Sequence, residues 1–191
     1  MVLATEENER NPHPSAPSDW VRRFAPLIAP GAAVLDLACG HGRHARHLAG
    51  LGHAVEAVDR SEEGLSLLAS VPNVTTRRAD LEGGPWPYAG RKFSGIVVAN
   101  YLHRPLFPRL VEALEEGGVL IYETFMLGHE RFGRPSNPQF LLRPGELLEA
   151  FGAALSVVAF EQGEVALPRP AAVQRICAAK ARDAARLRLP A

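Results

Sequence analysis

Val34-Leu35-Asp36-Leu37-Ala38-Cys39-Gly40-His41-Gly42-Arg43 decides how this chain is read. Val34 to Leu37 is a short apolar run of β character. Two glycines follow, and a segment with helical spacing begins at once. A strand that passes through a glycine turn into a helix is where α/β folds place a nucleotide-like ligand. Gly40 and Gly42 permit backbone conformations and a close approach that a side chain would block. The first N–H groups of the helix have no partner within it and face whatever lies beyond the turn.

Two ligand classes fit this turn, and charge separates them. Gly40-x-Gly42-x-x-Ala45 passes the loose pattern for dinucleotides, which set an anionic pyrophosphate on the helix N-terminus. Asp36, four residues before Gly40, would repel a pyrophosphate. It suits a ligand with a cationic amino-acid end, so S-adenosylmethionine (SAM) is favoured over NAD.

Working outward, β and α patterns alternate along the chain. Ser18 is a helix N-cap, and Trp20, Phe24, Leu27 and Ile28 recur at helical spacing until Pro30-Gly31. Trp20 and Phe24 have two readings: core packing, or cover for the ligand pocket. Ala33–Leu37 is the first strand. The helix from Gly42 to Gly50 turns Ala45, Leu48 and Ala49 to the sheet and Arg43, His44, Arg46 and His47 elsewhere.

Ala54–Asp59 is the second strand. Ser61 caps a helix carrying Leu65, Leu68 and Ala69, and Val74–Ala79 is the third strand, ending at Asp80. Phe93–Ala99 is a buried central strand ending at Asn100. Pro105 starts a helix with Phe107, Leu110, Val111 and Leu114 inward. Glu116-Gly117-Gly118 turns into a strand at Val119–Thr124, Pro144 opens a helix through Phe151, and Leu155–Phe160 and Val173–Ala179 close the sheet. Residues 126–142 have little periodicity, and a loop of that length is usually functional or mobile. The alternation predicts a mostly parallel sheet covered on both faces, with the ligand beyond the strands' carboxyl ends. Asp36, Asp59, Asp80, Asn100 and Glu123 stand there.

The totals bound the rest. The chain of 191 residues is one ordinary domain, read here as an arm over 1–17, a domain over 18–180 and a basic tail over 181–191. A formal net charge of zero gives no broad footprint for nucleic acid, which is disfavoured as a partner. Cys39 and Cys177 form no disulfide framework, and the N-terminus lacks the basic start and apolar core of a signal peptide. A cytoplasmic setting follows, and no apolar run is long enough to span a membrane. His41, His44 and His47 do not make a metal site, since His41 lies in the turn, Arg43 and Arg46 stand beside them, and no C-x-x-C pair is present.

Taken together, the chain closely resembles the class I SAM-dependent methyltransferases from about residue 18 to 180. Val34–Gly42 is similar to the family's first motif, Val55-Glu56-Ala57-Val58-Asp59 to its second acidic strand end, and Arg78-Ala79-Asp80-Leu81 to its adenine-contacting stretch. Phe93–Asn100 and Leu114–Ile121 resemble its fourth and fifth strands. Through Gly42-Arg43-His44-Ala45-Arg46-His47-Leu48-Ala49 and its compact size, it resembles the small bacterial proteins near the tellurite-resistance methyltransferases.

The resemblance implies a three-layer Rossmann-like fold, with a mostly parallel seven-stranded sheet and an antiparallel last strand. It places Gly40 and Gly42 around the methionine part, with Asp36 fixing that loop and Ala38 and Arg60 beside the cofactor. Asp59 accepts from the ribose hydroxyls, Asp80 from the adenine amino group with Leu81 against the ring, and Asn100 faces the methyl group. Helix caps and solvated turns are the alternative for each carboxylate. Ser94 stands where the family often has Asp. Asn100-Tyr101-Leu102-His103 is not the Asn/Asp-Pro-Pro-Tyr signature of amide and nucleic-acid amino methyltransferases.

The expected function is methyl transfer from SAM to a small-molecule acceptor. The alternatives are a protein or RNA substrate, weakly favoured by Lys180, Arg182, Arg186 and Arg188, or a non-catalytic or NAD-binding domain of the same architecture. A hydroxyl or ammonium acceptor needs a base, and Tyr101, His103 and Glu123 are the candidates. Glu123 has a second reading, an ion pair with Arg131 or Arg134. The segment Glu130–Pro135 reads either as a lid whose arginines meet an anionic substrate or as solvated surface.

Overall fold

The computed structural model describes residues 16–181. Most of the arm, and the tail beyond Ala181 with Arg182, Arg186 and Arg188, therefore lie outside the described residues.

Ser18 caps α1 (Asp19–Phe24), its hydroxyl accepting the Val21 N–H at 3.1 Å, and a 3-10 turn at Ala25–Leu27 follows. Then come β1 (Ala33–Leu37), α2 (Arg43–Gly50), β2 (Ala54–Asp59), α3 (Glu62–Ser66), β3 (Val74–Arg78) and β4 (Phe93–Ala99). The chain continues through a 3-10 turn at Arg104–Leu106 into α4 (Phe107–Ala113), β5 (Leu114–Phe125), α5 (Glu146–Phe151), β6 (Ser156–Val165) and β7 (Ala171–Ala179).

The strands make one seven-stranded sheet in the order β3-β2-β1-β4-β5-β7-β6. β1 to β5 pair in parallel, and β7 runs antiparallel to both β5 and β6. This is the Rossmann-like sheet with an antiparallel last strand that the family resemblance implies. The order reverses between β1 and β4, which opens a crevice at their carboxyl ends.

Both faces are dry, as the strands' apolar composition requires. On one face Val34, Val55, Ala57, Val97 and Ile121 pack with Trp20, Phe24, Ala45, Leu48 and Leu68 of the α1–α3 side. On the other, Leu35, Leu37, Val58, Ile96, Val98 and Tyr122 pack with Tyr88, Leu110, Leu147 and Phe151. Neighbouring residues of each strand alternate between the two cores, the period-2 rule of a pleated strand.

Several local expectations are corrected. Leu114 does not close the helix after Pro105: it opens β5, pairing with Phe93. Glu116-Gly117-Gly118 stays in the sheet as part of an irregularity between Phe93 and Gly95, instead of turning into it. There the Gly117 N–H donates to the Lys180 carbonyl at 2.7 Å, and the Lys180 N–H to Gly118 at 2.9 Å. The Lys180 ammonium donates to the carbonyls of Val111 and Leu114, so it is spent on the fold and adds nothing to a basic tail.

Residues 126–142 hold 3-10 turns at His129–Arg131 and Pro138–Phe140. Both ends of the segment are stitched together. Leu127 N–H donates to the Leu142 carbonyl and Leu142 N–H to Phe125, while the buried His129 ring stacks on Phe125 at 3.9 Å.

The α1–α2 seam depends on a neutral imidazole. His44 is buried, and its Nε2 accepts the Ser18 N–H at 3.3 Å. Burial, with Arg43 and His47 adding to it, pushes the His44 pKa down to about 3. The folded state thus resists a proton that the unfolded chain takes up near the ordinary histidine value. This contribution is complete above about pH 6.5 and is lost as pH falls toward 3. Denaturant unfolding at pH 7, 5 and 4 is expected to show a smaller acid decline in His44→Gln than in the wild type.

Asp36 carries the opposite sign. Its pKa is raised to about 7, so the folded state holds a proton that the unfolded chain releases, and stability falls as pH rises from about 4 through 7. Asp36→Asn is expected to gain on the wild type by about 3 kcal/mol between pH 5 and pH 8 in the same measurement.

Candidate functional site

The site begins at the turn between β1 and α2. Ala38 and Gly40 take positive φ, +55° and +54°, and Gly42 opens α2 at +76°. A Cβ on Gly42 would also stand 2.4 Å from the Leu68 side chain, so backbone and packing both demand glycine there. Gly64 meets a similar demand from the other side. A Cβ at that position would lie 2.4 Å from the Gly40 carbonyl, so α3 supports the turn at backbone contact. The sequence signal for Gly64 was a glycine inside an otherwise helical pattern.

Asp59, at the end of β2, ties the turn down. One carboxylate oxygen accepts the Gly40 N–H at 2.8 Å and the other accepts the Ser61 N–H at 2.8 Å. A carboxylate offers about four lone-pair positions, so each oxygen keeps one for a hydroxyl donor.

Beside it opens a cavity of about 170 Å³ lined by Ala38, Asp59, Arg60, Ala79, Asp80, Leu81, Glu82 and Tyr101. Sequence reasoning selected most of these residues, Ala79 within the stretch Arg78–Leu81, but missed Glu82. Asp80 is turned toward its own loop: the Glu82 N–H donates to it at 3.0 Å. This N–H and that of Gly83, with the Arg60 charge, hold its carboxyl below the ordinary range. The Tyr101 hydroxyl is buried without a hydrogen-bond partner, and its backbone carbonyl accepts the Tyr122 hydroxyl at 2.9 Å. Burial, and then the Glu82 carboxylate, push the Tyr101 phenol well above its usual range, so it stays protonated at neutral pH.

Asp36 is buried beneath the glycine turn. Burial raises its carboxyl to about 7 against the pull of the Ala45 N–H and the Arg43 charge, and Asp59 adds to the rise. One of its oxygens has no partner. A buried carboxyl with a spare acceptor and a neighbouring carboxylate calls for a cationic or hydrogen-bond-donating group.

Asn100 follows β4 at φ +56°, its N–H donating to the Glu123 carbonyl at 2.9 Å. It is exposed and does not line the cavity. His103 is partly buried at the N-cap of the 3-10 turn, and its side chain makes no capping bond.

Glu123 is buried at the end of β5, and its partner is Arg175 of β7 at 3.3 Å, instead of Arg131 or Arg134 from the loop. Strand register dictates this pairing: Glu123 and Glu161 both stand opposite Arg175 on the flanking strands. The Arg175 guanidinium lies 6.0 Å over Trp20, whose ring N–H donates to the Ile176 carbonyl. Trp20 is therefore core, packed under Arg175, and it is not among the residues lining the cavity. Arg131 is spent on Glu164 at 2.5 Å.

Arg43 is the further charged residue that sequence reasoning turned away from the site. Burial lowers its guanidinium against the pull of Glu123 and Asp36, so it stands in the field of both carboxylates. His41, His44 and His47 gather no metal set: among the described residues, no three His, Cys, Asp or Glu side chains converge to hold an ion. No helix among these residues is long and apolar enough to cross a membrane.

Residues 34–118 match a family described as a methyltransferase domain. No curated protein matches the chain. Among solved structures, the chain is similar to TehB from Haemophilus influenzae, with TM-score 0.72 and 20% identity over 91% of this chain and 65% of that one. The chain thus spans just under two thirds of that protein.

It is also similar to a TehB-like SAM-dependent methyltransferase from Corynebacterium glutamicum, with TM-score 0.62 and 19% identity over 84% of this chain and 86% of that one. A third is the N-methyltransferase NodS from Bradyrhizobium japonicum, with TM-score 0.65 and 17% identity over 94% and 100%. At such identities the likeness is one of fold. Residues 34–118 thus match a methyltransferase domain family, and the chain shares the fold of these SAM-dependent methyltransferases.

Proposed function

We propose that the protein transfers a methyl group from SAM to a small-molecule acceptor by in-line displacement. The observation that carries this reading is the carboxylate-walled cavity beside the glycine turn, at the pole where β1 and β4 diverge, within a methyltransferase domain. Bound SAM supplies a methyl group on a sulfonium, activated without help from the protein.

The chain's own residues bind and align. Asp59 uses its remaining lone pairs on the ribose hydroxyls, with Arg60 at the rim. Asp80 accepts from the adenine amino group, and Leu81 and Ala38 pack on the ring. Gly40 and Gly42 let the backbone close around the methionine part, where the spare oxygen of Asp36 meets the ammonium. Asn100 borders the methyl position.

Most of the rate then comes from holding the acceptor close and in line in a dry pocket. Of the three expected acceptor-side groups, Tyr101 serves as a donor, Glu123 is an anchored carboxylate neutralised by Arg175, and His103 is left as the general base for a protonated acceptor.

Asp59→Ala is expected to weaken S-adenosylhomocysteine binding at least tenfold in calorimetric titration, about 1.4 kcal/mol, while the far-ultraviolet spectrum stays unchanged. Wild-type affinity in a folded Asp59→Ala variant would refute the ribose assignment. NAD binding by the wild type would refute the cofactor assignment. The turnover of His103→Gln on a hydroxyl or ammonium acceptor should fall by about 100-fold. Wild-type turnover in that variant would remove His103 from the reaction.

A further inference from the structure

Arg104 makes a set of contacts that neither the cofactor cavity nor the core explains. Its Nε donates to Glu146 Oε1 at 2.5 Å and its Nη2 to Glu146 Oε2 at 3.0 Å. Its Nη1 reaches the Gln139 carbonyl at 2.8 Å and its Nη2 the Leu141 carbonyl at 2.9 Å. One guanidinium therefore bridges the segment after β4 to three points on the far side of the long loop. Glu146 is only 4% exposed and also accepts the Arg143 N–H at 2.7 Å.

The receiving side is itself fixed to the sheet. Buried Gln174 of β7 accepts the Leu147 N–H at 2.6 Å and donates to the Arg143 carbonyl at 3.1 Å. On the other side of residues 101–104, the Tyr122 hydroxyl holds the Tyr101 carbonyl, and the Tyr122 ring packs against Phe107 and Phe151. Leu102 and His103 are thus strung between two anchors, one below in β5 and one beyond the loop in α5.

We propose that the Arg104–Glu146 pair is a positioning clamp that holds residues 100–103, and with them the Tyr101 wall of the cofactor cavity and the His103 imidazole, against residues 139–146. The proposal rests on the functional reading above for its consequence and on the hydrogen-bond geometry for its existence. Burial alone would raise the Glu146 carboxyl. The Arg104 and Arg143 donors outweigh it and hold the group below the ordinary range, so the pair stays ionic at neutral pH.

The clamp needs a guanidinium. A planar fork satisfies both carboxylate oxygens and two carbonyls at once, and a lysine ammonium is a point charge that cannot. Arg104→Lys should therefore behave like the charge-removing variants, which separates a geometric role from a merely ionic one.

The test compares the full-length wild type with Arg104→Lys and Glu146→Gln by amide hydrogen exchange and by S-adenosylhomocysteine titration. Both variants should exchange at least tenfold faster over residues 100–103 and 139–146, with β1 and β2 unchanged, and Kd should rise about fivefold although neither residue touches the cavity. Loosening confined to 139–146 with wild-type affinity would overturn the proposal, because the pair would then only staple α5. Loss of protection throughout β1 and β2 in both variants would overturn it as well, making the pair a general support. If the wild type binds no adenosyl ligand, the functional reading fails, and the two exchange segments still decide the clamp.

Discussion

The hydrogen bond from the Gly40 N–H to the Asp59 carboxylate is the constraint on which the site depends. It joins the turn after β1 to the end of β2, so the two strand ends cannot part. The rest follows from keeping that turn tight. Gly42 must open α2 in a left-handed conformation against Leu68, and Gly64 must let α3 touch the Gly40 carbonyl. Ala38 is held at positive φ, a conformation that costs a non-glycine residue about 1 kcal/mol or more and persists only where its surroundings enforce it. The cavity lies on the outer side of this knot.

Electrostatics at the pole are arranged in layers. The deepest carboxyl, Asp36, is raised toward neutrality by burial, while Asp80, out in its loop, is held ionised by two backbone N–H groups. On the β5–β7 side, Glu123 and Glu161 flank Arg175, and that alternation of charge across three strands closes the sheet's end without leaving a buried charge unpaired. Arg43 stands in the field of both Asp36 and Glu123. The pole therefore separates an acidic region around Asp36, Asp59 and Asp80 from a charge-balanced one around Glu123, Arg175 and Glu161.

The fold was legible because its signals are local. Alternating apolar strands, the glycine turn and the caps at Ser18 and Ser61 depend on near neighbours, and they predicted a mostly parallel sheet covered on both faces, whereas the reversed last strand came from the family resemblance. What was missed depends on register. Nothing near Leu114 shows that it will pair with Phe93, nor near Gly117 that Lys180 will receive its N–H. Glu123 was assigned a loop arginine by proximity in sequence, whereas pairing of β5 with β7 sets it opposite Arg175. Arg43 was placed on an outer helix face by periodicity. Periodicity does not encode the field that distant strand ends set at the first residue of α2. The strand-end aspartates were found because an acidic residue after each apolar run is a pattern. Glu82 is marked by no such pattern, and the glycine in a helical segment that marks Gly64 does not say what it touches.

The most direct test of the central claim is a crystal structure of the protein with S-adenosylhomocysteine. The account predicts the ribose hydroxyls on Asp59, the adenine against Leu81 with its amino group at Asp80, and the homocysteine amine at the free oxygen of Asp36, with the Gly40–Asp59 bond intact. A ligand seated elsewhere, or one whose ribose leaves Asp59 untouched, would contradict it.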